Sequence, residues 1–312
     1  WGQLDNSGGG CQIGAMQIPG IIIEDLPPMQ DPILIAGFDG WGNALNVSTA
    51  MAAYLIRKLD TVAFARIDPD TYYRFDEHRP VVTIKDGRFE NLQPPGGDFF
   101  IARTQPGQRD IVILEAEEPD LNWYQFAGAL LDLCQHLNVK TLVTLGSMYD
   151  NLLHTDKLIS GVSNDPASVS LLNSKRINSI SYQGPSAIHS VILAEASKRR
   201  VENISLWCHC PYYLQGTTHF GQLLQMANLL SDLGSFDLDV EDLEKGWAKL
   251  KEQIDELIEK NSELQELVTD LRKRKTRGSI ANMKNSLKKD EKVIDLQDFF
   301  NFGEAPPKPP AT

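Results

Sequence analysis

The sequence predicts an α/β protein with a mixed central sheet flanked by helices and a C-terminal helical appendage. Three observations carry this. Short runs rich in Ile, Val and Leu alternate with helix-patterned segments through about 200 residues, as in sheets covered by helices. One pair of runs flanks Asp86-Gly87, a strong hairpin signal. After Gly234 the chain becomes charged and its apolar residues fall at heptad spacing.

The elements follow in order. Ile33–Ala36 reads as a strand ending at Gly37, and Asn46–Leu59 as a helix with Asn46 or Ser48 as N-cap. Thr61–Ile67 is a strand ending at Asp68-Pro69. Val81–Ile84 and Phe89–Leu92 form the hairpin, so the sheet is expected to be mixed. Asp110–Leu114 is a strand, Leu121–Leu137 a helix and Thr141–Leu145 a strand. Ser179–Tyr182 is a further expected strand, Pro185–Arg200 a helix, Ile204–Cys208 a strand and Phe220–Leu233 a helix.

The segment Asp237–Lys275 carries Leu243, Trp247, Leu250, Ile254, Leu257, Asn261, Leu264, Val268 and Leu271 in steps of four and three. Two readings stand. A continuous coiled coil would use Asn261 to set register. A helical hairpin would restart at Ser262, where Ser262 and Gln265 have the form of a capping box. Four segments are expected: 1–15 upstream of the fold, 16–234 an α/β core domain, 235–277 the appendage and 278–312 a flexible tail. Trp1 is not an initiator, Asn6–Gly10 resembles a linker, and Met16 opens the chain expected to fold. In the tail, Val293–Phe302 is an apolar and acidic island suited to docking, followed by the Pro306–Pro310 run.

The chain has 312 residues and a formal charge of −12, which argues against a nucleic-acid partner. The one basic run, Arg272–Arg277, reads as a helix end. No stretch approaches the roughly 20 apolar residues of a membrane span, and residues 1–14 lack a positive start followed by an apolar run. With four cysteines, too few for a disulfide framework, a reduced cytoplasmic protein is expected.

Several residues could carry chemistry. The loop Gly37-Phe38-Asp39-Gly40-Trp41-Gly42-Asn43 follows the first strand, where anions meet helix N-termini. Its Gly-x-x-Gly-x-Gly order is not the dinucleotide fingerprint and no Walker lysine follows. The simpler reading is a tight glycine turn with Trp41 wedged against the sheet. Cys208-His209-Cys210 holds zinc-ligand types, but on a strand the two thiols share a face and His209 takes the other. No second Cys/His pair stands at zinc spacing, so two buried thiols are expected and no metal. His154, His209, Glu115, Glu117 and Glu118 all follow strands and could meet in one crevice for acid/base work. Gly146-Ser147-Met148-Tyr149 lacks the second glycine of a nucleophile elbow, so a Ser-His-Asp hydrolase is unsupported. No cofactor motif is present.

A series of loops resembles a known family. Gly40-Trp41-Gly42-Asn43-Ala44 is followed by Asp70-Thr71-Tyr72-Tyr73-Arg74-Phe75 and by Arg79-Pro80-x-Val82. Glu118-Pro119-Asp120-x-x-Trp123, Leu145-Gly146, His154-Thr155, Gly184-Pro185 and Pro211-Tyr212-Tyr213-Leu214 come next. In this order, over Pro32 to Lys275, they resemble the proteasome assembly chaperone 2 family in its bacterial branch. The resemblance implies a nucleoside-phosphorylase-like fold, a homotrimer and a C-terminal helical appendage broken near Asn261-Ser262. Leu153-His154-Thr155-Asp156-Lys157 and Pro211-Tyr212-Tyr213 depart from Pro-His-Thr-Arg-Pro and Pro-His-Tyr of relatives. Ala311-Thr312 lacks the hydrophobic-Tyr-x tail of proteasome activators, so docking through the tail is not expected.

Two functional readings follow. One is a homo-oligomeric scaffold or assembly factor that contacts protein partners through its C-terminal helices and tail. The other is a small-molecule enzyme or sensor for a nucleotide, nucleoside or phosphate, with a pocket lined by Phe38, Gly40, Trp41, Asn43, Arg79, Glu118, His154, Thr155 and Tyr213. In it Arg79 would clamp a phosphate or carboxylate.

Overall fold

The computed structural model describes residues 17–26, 28–105 and 108–276. The upstream segment 1–15, the tail 278–312 with its Val293–Phe302 island, and Cys11 lie outside the described residues.

In chain order the elements are β1 (Ile21–Ile23), β2 (Ile33–Asp39), a 3-10 turn (Ala44–Asn46), α1 (Val47–Lys58), β3 (Val62–Ile67) and α2 (Pro69–Tyr72). There follow β4 (Val81–Lys85), β5 (Arg88–Gln93), β6 (Gly97–Ala102), β7 (Ile111–Glu117), α3 (Trp123–His136), β8 (Thr141–Asp150) and β9 (Ile159–Ser163). The last are α4 (Pro166–Ser174), α5 (Ile188–Arg199), β10 (Glu202–Pro211), α6 (Phe220–Gly234), α7 (Glu241–Lys260) and α8 (Ser262–Thr276). None of these helices is long and apolar enough to cross a membrane.

Eight strands form one mixed sheet in the order β1-β3-β6-β7-β2-β8-β10-β9. Its centre, β7-β2-β8-β10, is parallel, while β6, β3, β1 and β9 join antiparallel to their neighbours. The expected mixed sheet is therefore present. β2 is apolar up to Phe38 because alternate side chains enter cores on both faces of the sheet. Ile33 and Ile35 enter one core, while Leu34, Ala36 and Phe38 enter the core behind the sheet. α1, α6, α7 and α8 cover the first face; α3 and α5 cover the second.

Gly37 shows how closely the first face is packed. A Cβ there would lie 2.7 Å from the Ser48 carbonyl and 2.9 Å from Ala52 Cβ. Only glycine lets α1 lie this near the sheet.

Ser179–Tyr182 is not a strand. The edge beside β10 is taken by β9, which leaves that short run only an Asn178–Ser160 bridge next to it. β1, β6 and β9 escape sequence reading because they are short, and β6 begins inside a Pro-Gly cluster. The Asp86-Gly87 hairpin forms, with φ of 49° and 75° at its two turn residues, but as a two-stranded sheet of its own, so the mixing of the central sheet comes from its antiparallel edge strands and not from the hairpin.

The heptad stripe is divided. Asn261 is extended (φ −124°, ψ 109°), and its Oδ1 accepts from Glu263 N–H at 3.0 Å and Leu264 N–H at 3.1 Å. Asn261 thus caps α8 itself, one residue before the expected Ser262. Leu243, Leu250 and Ile254 of α7 and Leu264, Val268 and Leu271 of α8 all enter the core shared with α6.

Gly37→Ala is expected to lower folding stability by about 1–3 kcal/mol, since α1 must shift to admit a methyl group. Urea denaturation measures it, with an unchanged midpoint refuting the close packing.

Candidate functional site

β2 and β7 lie side by side and parallel, yet the chain leaves them toward opposite faces, to α1 and α3. Their loops part there, which is where α/β sheets open a binding crevice. The loop after β2 holds Gly40, Trp41 and Asn43; the loop after β7 holds Glu118.

Asn43 organises the first loop. Its Nδ2 donates to Asp39 Oδ1 at 2.9 Å, and its Oδ1 accepts from Ser48 N–H at 2.9 Å. It therefore satisfies the start of α1, which neither Asn46 (φ 55°) nor Ser48 caps by side chain. Gly40 has φ 121°, and a Cβ there would stand 2.8–2.9 Å from the Glu118 side chain. That carboxylate fills the crevice. Its Oε1 accepts from Ile188 N–H at 2.7 Å and its Oε2 from Trp41 N–H at 3.3 Å. Ile188 begins α5, so Glu118 occupies the position where a helix N-terminus would receive a bound anion.

Beneath the loop lies His189, 2 % exposed. Its Nε2–H donates to the Leu145 carbonyl at 2.7 Å. The ring sits between Phe38 and Trp207, with centroids 5.5 and 4.7 Å away. Its Nδ1 has no hydrogen-bond partner among the described residues. Burial pushes this imidazole down to about 4. Trp41 is not wedged against the sheet but is 64 % exposed, because Trp207 fills the space over Gly42 and Gly146.

The other predicted residues stand elsewhere. His154 and Tyr213 lie toward the opposite core, under α7. The Tyr213 hydroxyl accepts from His154 N–H at 2.8 Å and contacts its Nδ1 at 2.9 Å. The Nε2 of His154 faces Asp255 of α7 at 3.3 Å. Burial lowers His154 although Asp255 pulls the other way. His219 stacks on Trp247 of α7 at 5.0 Å and is pushed by burial to about 4. Thr155 is exposed in the turn beside His154, and Arg79 is exposed at the base of the β4–β5 hairpin. The nine predicted residues thus divide: Phe38, Gly40, Trp41, Asn43 and Glu118 gather at the loops after β2 and β7, while His154 and Tyr213 pair with each other in the core under α7.

His209 does not join His154 and the glutamates in one crevice, as its place after a strand suggested, but makes a constellation with residues the sequence did not single out. His209 joins Asp150 Oδ2 through Nδ1 at 2.8 Å and Ser160 Oγ through Nε2 at 2.8 Å. Burial works to raise Asp150, but the hydrogen bond and charge of His209 outweigh it and the carboxyl is lowered. The order is that of a hydrolytic triad. However, Ser160 is fully buried and His209 is 3 % exposed, so the three residues fasten edge strand β9 to β10 and the end of β8. The Cys208 and Cys210 thiols are buried on the opposite face from His209, and burial pushes Cys210 to about 12. Among the described residues no group of His, Cys, Asp or Glu is arranged to hold a metal ion.

Glu115 and Glu117 are raised chiefly by burial, Glu115 also by Asp98 across the β6–β7 pair. A depression of about 300 Å³ lined by Gln30, Arg103, Thr104 and Asp110 lies at the opposite, amino end of β2 and β7.

These features define a class: an α/β protein with a parallel sheet centre whose switch-point crevice is closed by its own carboxylate. The chain belongs to the PAC2 family, whose model matches residues 34–258. It is similar to a PAC2 family protein from Streptomyces avermitilis, at 28% identity over 76% of this chain and 100% of that one, with a TM-score of 0.69. It is also similar to a proteasome-assembly chaperone homologue from Mycobacterium tuberculosis, at 25% identity over 76% and 99%, with a TM-score of 0.68. A Corynebacterium glutamicum protein of unknown function shares the fold at 20% identity over 84% and 99%, with a TM-score of 0.75. No curated protein matches the sequence.

Glu118→Gln keeps the size of the side chain but loses its charge and one acceptor, and is expected to cost about 1–2 kcal/mol of stability. Chemical denaturation checks this; an unaltered midpoint would mean that the carboxylate does not hold the crevice shut. A second expectation concerns pH. The folded protein keeps His189 and His219 neutral down to about 4, whereas the unfolded chain takes up protons below about 6.5. Their contribution is therefore complete above pH ~6.5 and is lost toward pH ~4, by up to about 1.4 kcal/mol per pH unit for each histidine. Glu115 acts in the opposite sense through a smaller displacement. Urea midpoints at about pH 7.5 and about pH 5 measure the net slope, which is expected to favour the higher pH.

Proposed function

We propose that this chain is a proteasome-assembly-chaperone-like scaffold that works through protein–protein contacts as a homo-oligomer, a trimer by family resemblance. Family membership and similarity to the M. tuberculosis proteasome-assembly chaperone homologue support this reading. The observation that carries it is Glu118. The slot where an α/β enzyme would receive a phosphate holds the chain's own carboxylate, bonded to Ile188 and Trp41 N–H groups. Within this reading residues 16–234 form a phosphorylase-like body, 235–277 a helical appendage and 278–312 a tail, the last two available to a partner in the cytoplasm.

A second reading, a small-molecule binder, draws on the unpartnered Nδ1 of buried His189 beside the crevice. A ligand would have to displace Glu118 to reach it.

Thermal-shift measurements with nucleotides, nucleosides, phosphate and metal ions, paired with light scattering, decide between them. A ligand at a hundred times its dissociation constant adds about 2.7 kcal/mol of stability. The expected result is no shift and a mass that is a multiple of the protomer. A clear nucleotide or phosphate shift in a monomer would overturn the scaffold reading.

A further inference from the structure

Charge is unevenly placed along this chain. Residues 272–289 hold eight Lys and Arg and no Asp or Glu, so on a total of −12 the remaining residues carry −20. The first of these cations close α8. A helix C-terminus favours cations only within its last turn. Arg277, Lys284, Lys288 and Lys289 therefore lie beyond what a helix end explains.

The body carries a matching surface. Side chains of β2, β6 and β7 alternate between two faces, and the places of Ile35, Ala102 and Ile113 assign Asp39, Asp98, Glu115 and Glu117 to the face covered by α1. Asp98 stands opposite Glu115, and Asp39 beside Glu117. Like charges side by side weaken a sheet. None of the four forms an ion pair among the described residues, because the cations nearby are engaged elsewhere. Arg66 faces Asp98 in register but pairs with Glu24, Arg74 pairs with Asp76 and Glu77, and His78 pairs with Asp120. Burial raises Glu115 and Glu117 first, and the neighbouring carboxylates add to it, against the pull of His78 on Glu117. Asp39 and Asp98 are exposed, and Glu115 and Glu117 half-buried, so the row stays open to solvent. On the loop that leaves Asp39, the 64 % exposed ring of Trp41 offers a face on which a cation can stack.

Position agrees with charge. The Arg272 guanidinium acts on both His154, after β8, and Tyr213, after β10. This sets the end of α8 at the carboxyl ends of the parallel strands. Asp39 and Glu117 end β2 and β7 there too, and α8 packs on the same face of the sheet as α1. In the order β7-β2-β8-β10, β2 is two strands and β7 three strands from β10, about 10–15 Å. Residues 277–289 span up to about 45 Å when extended, more than the distance requires.

We propose that residues 277–289 dock on this chain's own body, with their cations on Asp39, Asp98, Glu115 and Glu117. The inference goes beyond the scaffold reading and holds with or without it. It also sets the chemistry of a partner that takes the segment: an acidic surface able to outcompete four carboxylates within the segment's reach.

The test is limited trypsin digestion of the full-length protein, with cleavage after Lys284, Lys288 and Lys289 read by mass spectrometry. Cleavage follows the population in which the segment is free. Glu115→Gln combined with Glu117→Gln removes two of the charges at constant size, and circular dichroism confirms the fold. This variant is expected to be cut about tenfold faster than wild type, the joint effect of a few exposed ion pairs. Raising NaCl to about 0.5 M is expected to speed wild type toward the same rate. Asp31→Asn combined with Asp60→Asn, two exposed acids at the amino ends of strands, is the control and is expected to match wild type. A photo-crosslinker replacing Met283, in a mixture of light and isotope-labelled heavy copies, is expected to reach residues 97–118 of its own chain. The crosslink needs no change in the body, so it decides even where the variant fails to fold. Equal cutting of wild type and the Glu115/Glu117 variant would overturn the docking. A control variant cut as fast as the Glu115/Glu117 variant would overturn the acidic row as its site. Crosslinks between light and heavy copies would overturn the chain's own segment as occupant.

Discussion

The carboxylate of Glu118 is the tie on which the strand-end region depends. It follows β7, yet it accepts from the first residue of α5 and from the loop after β2. Three elements that diverge to two faces of the sheet are joined through one side chain. The left-handed Gly40 packs directly against it, and the Asn43 bracket on α1 and the buried His189 stand in the same region. A charge at a helix N-terminus is favourable where it is half-desolvated and hydrogen-bonded. Here that favourable position serves cohesion and leaves no vacancy for an external anion.

The opposite face is organised by different chemistry. α7 and α8 press one apolar stripe against α6, and Asn261 redirects the chain between them. Two buried histidines mark the contact: His154 faces Asp255 and His219 stacks on Trp247. Burial keeps both rings neutral, so this face is built for neutral pH. The Ser160–His209–Asp150 chain belongs to the same economy of buried polar groups. It satisfies a histidine inside the sheet and fixes an edge strand, and its resemblance to a nucleophilic triad ends at the absence of access to Ser160.

The exposed apolar side chains lie outside this interior. The hairpin leaves Ile84 and Phe89 in water, and Trp41 stands clear of its own loop. The chain belongs to the PAC2 family and is similar to a proteasome-assembly chaperone homologue.

Much of the fold was legible in the residues. Alternating apolar runs located β2, β7, β8 and β10, Asp86-Gly87 located the hairpin, and the Cys208–Cys210 period placed both thiols on one face. Those features are local, set by strand period and turn geometry within a few residues. The crevice residues Gly40, Trp41, Asn43 and Glu118 were also named from their places after strands. Their partners were not. Glu118 meets Ile188 across 70 positions, and Ser160 meets His209 across 49. The order β7-β2-β8 follows no sequence order, so no spacing along the chain announces these contacts. The residues themselves determined which segments become strands and helices. Only the tertiary structure decided which face each loop turned to, and hence that His154 and Tyr213 pair with each other under α7 while Glu118 ties the loops after β2 and β7 to α5.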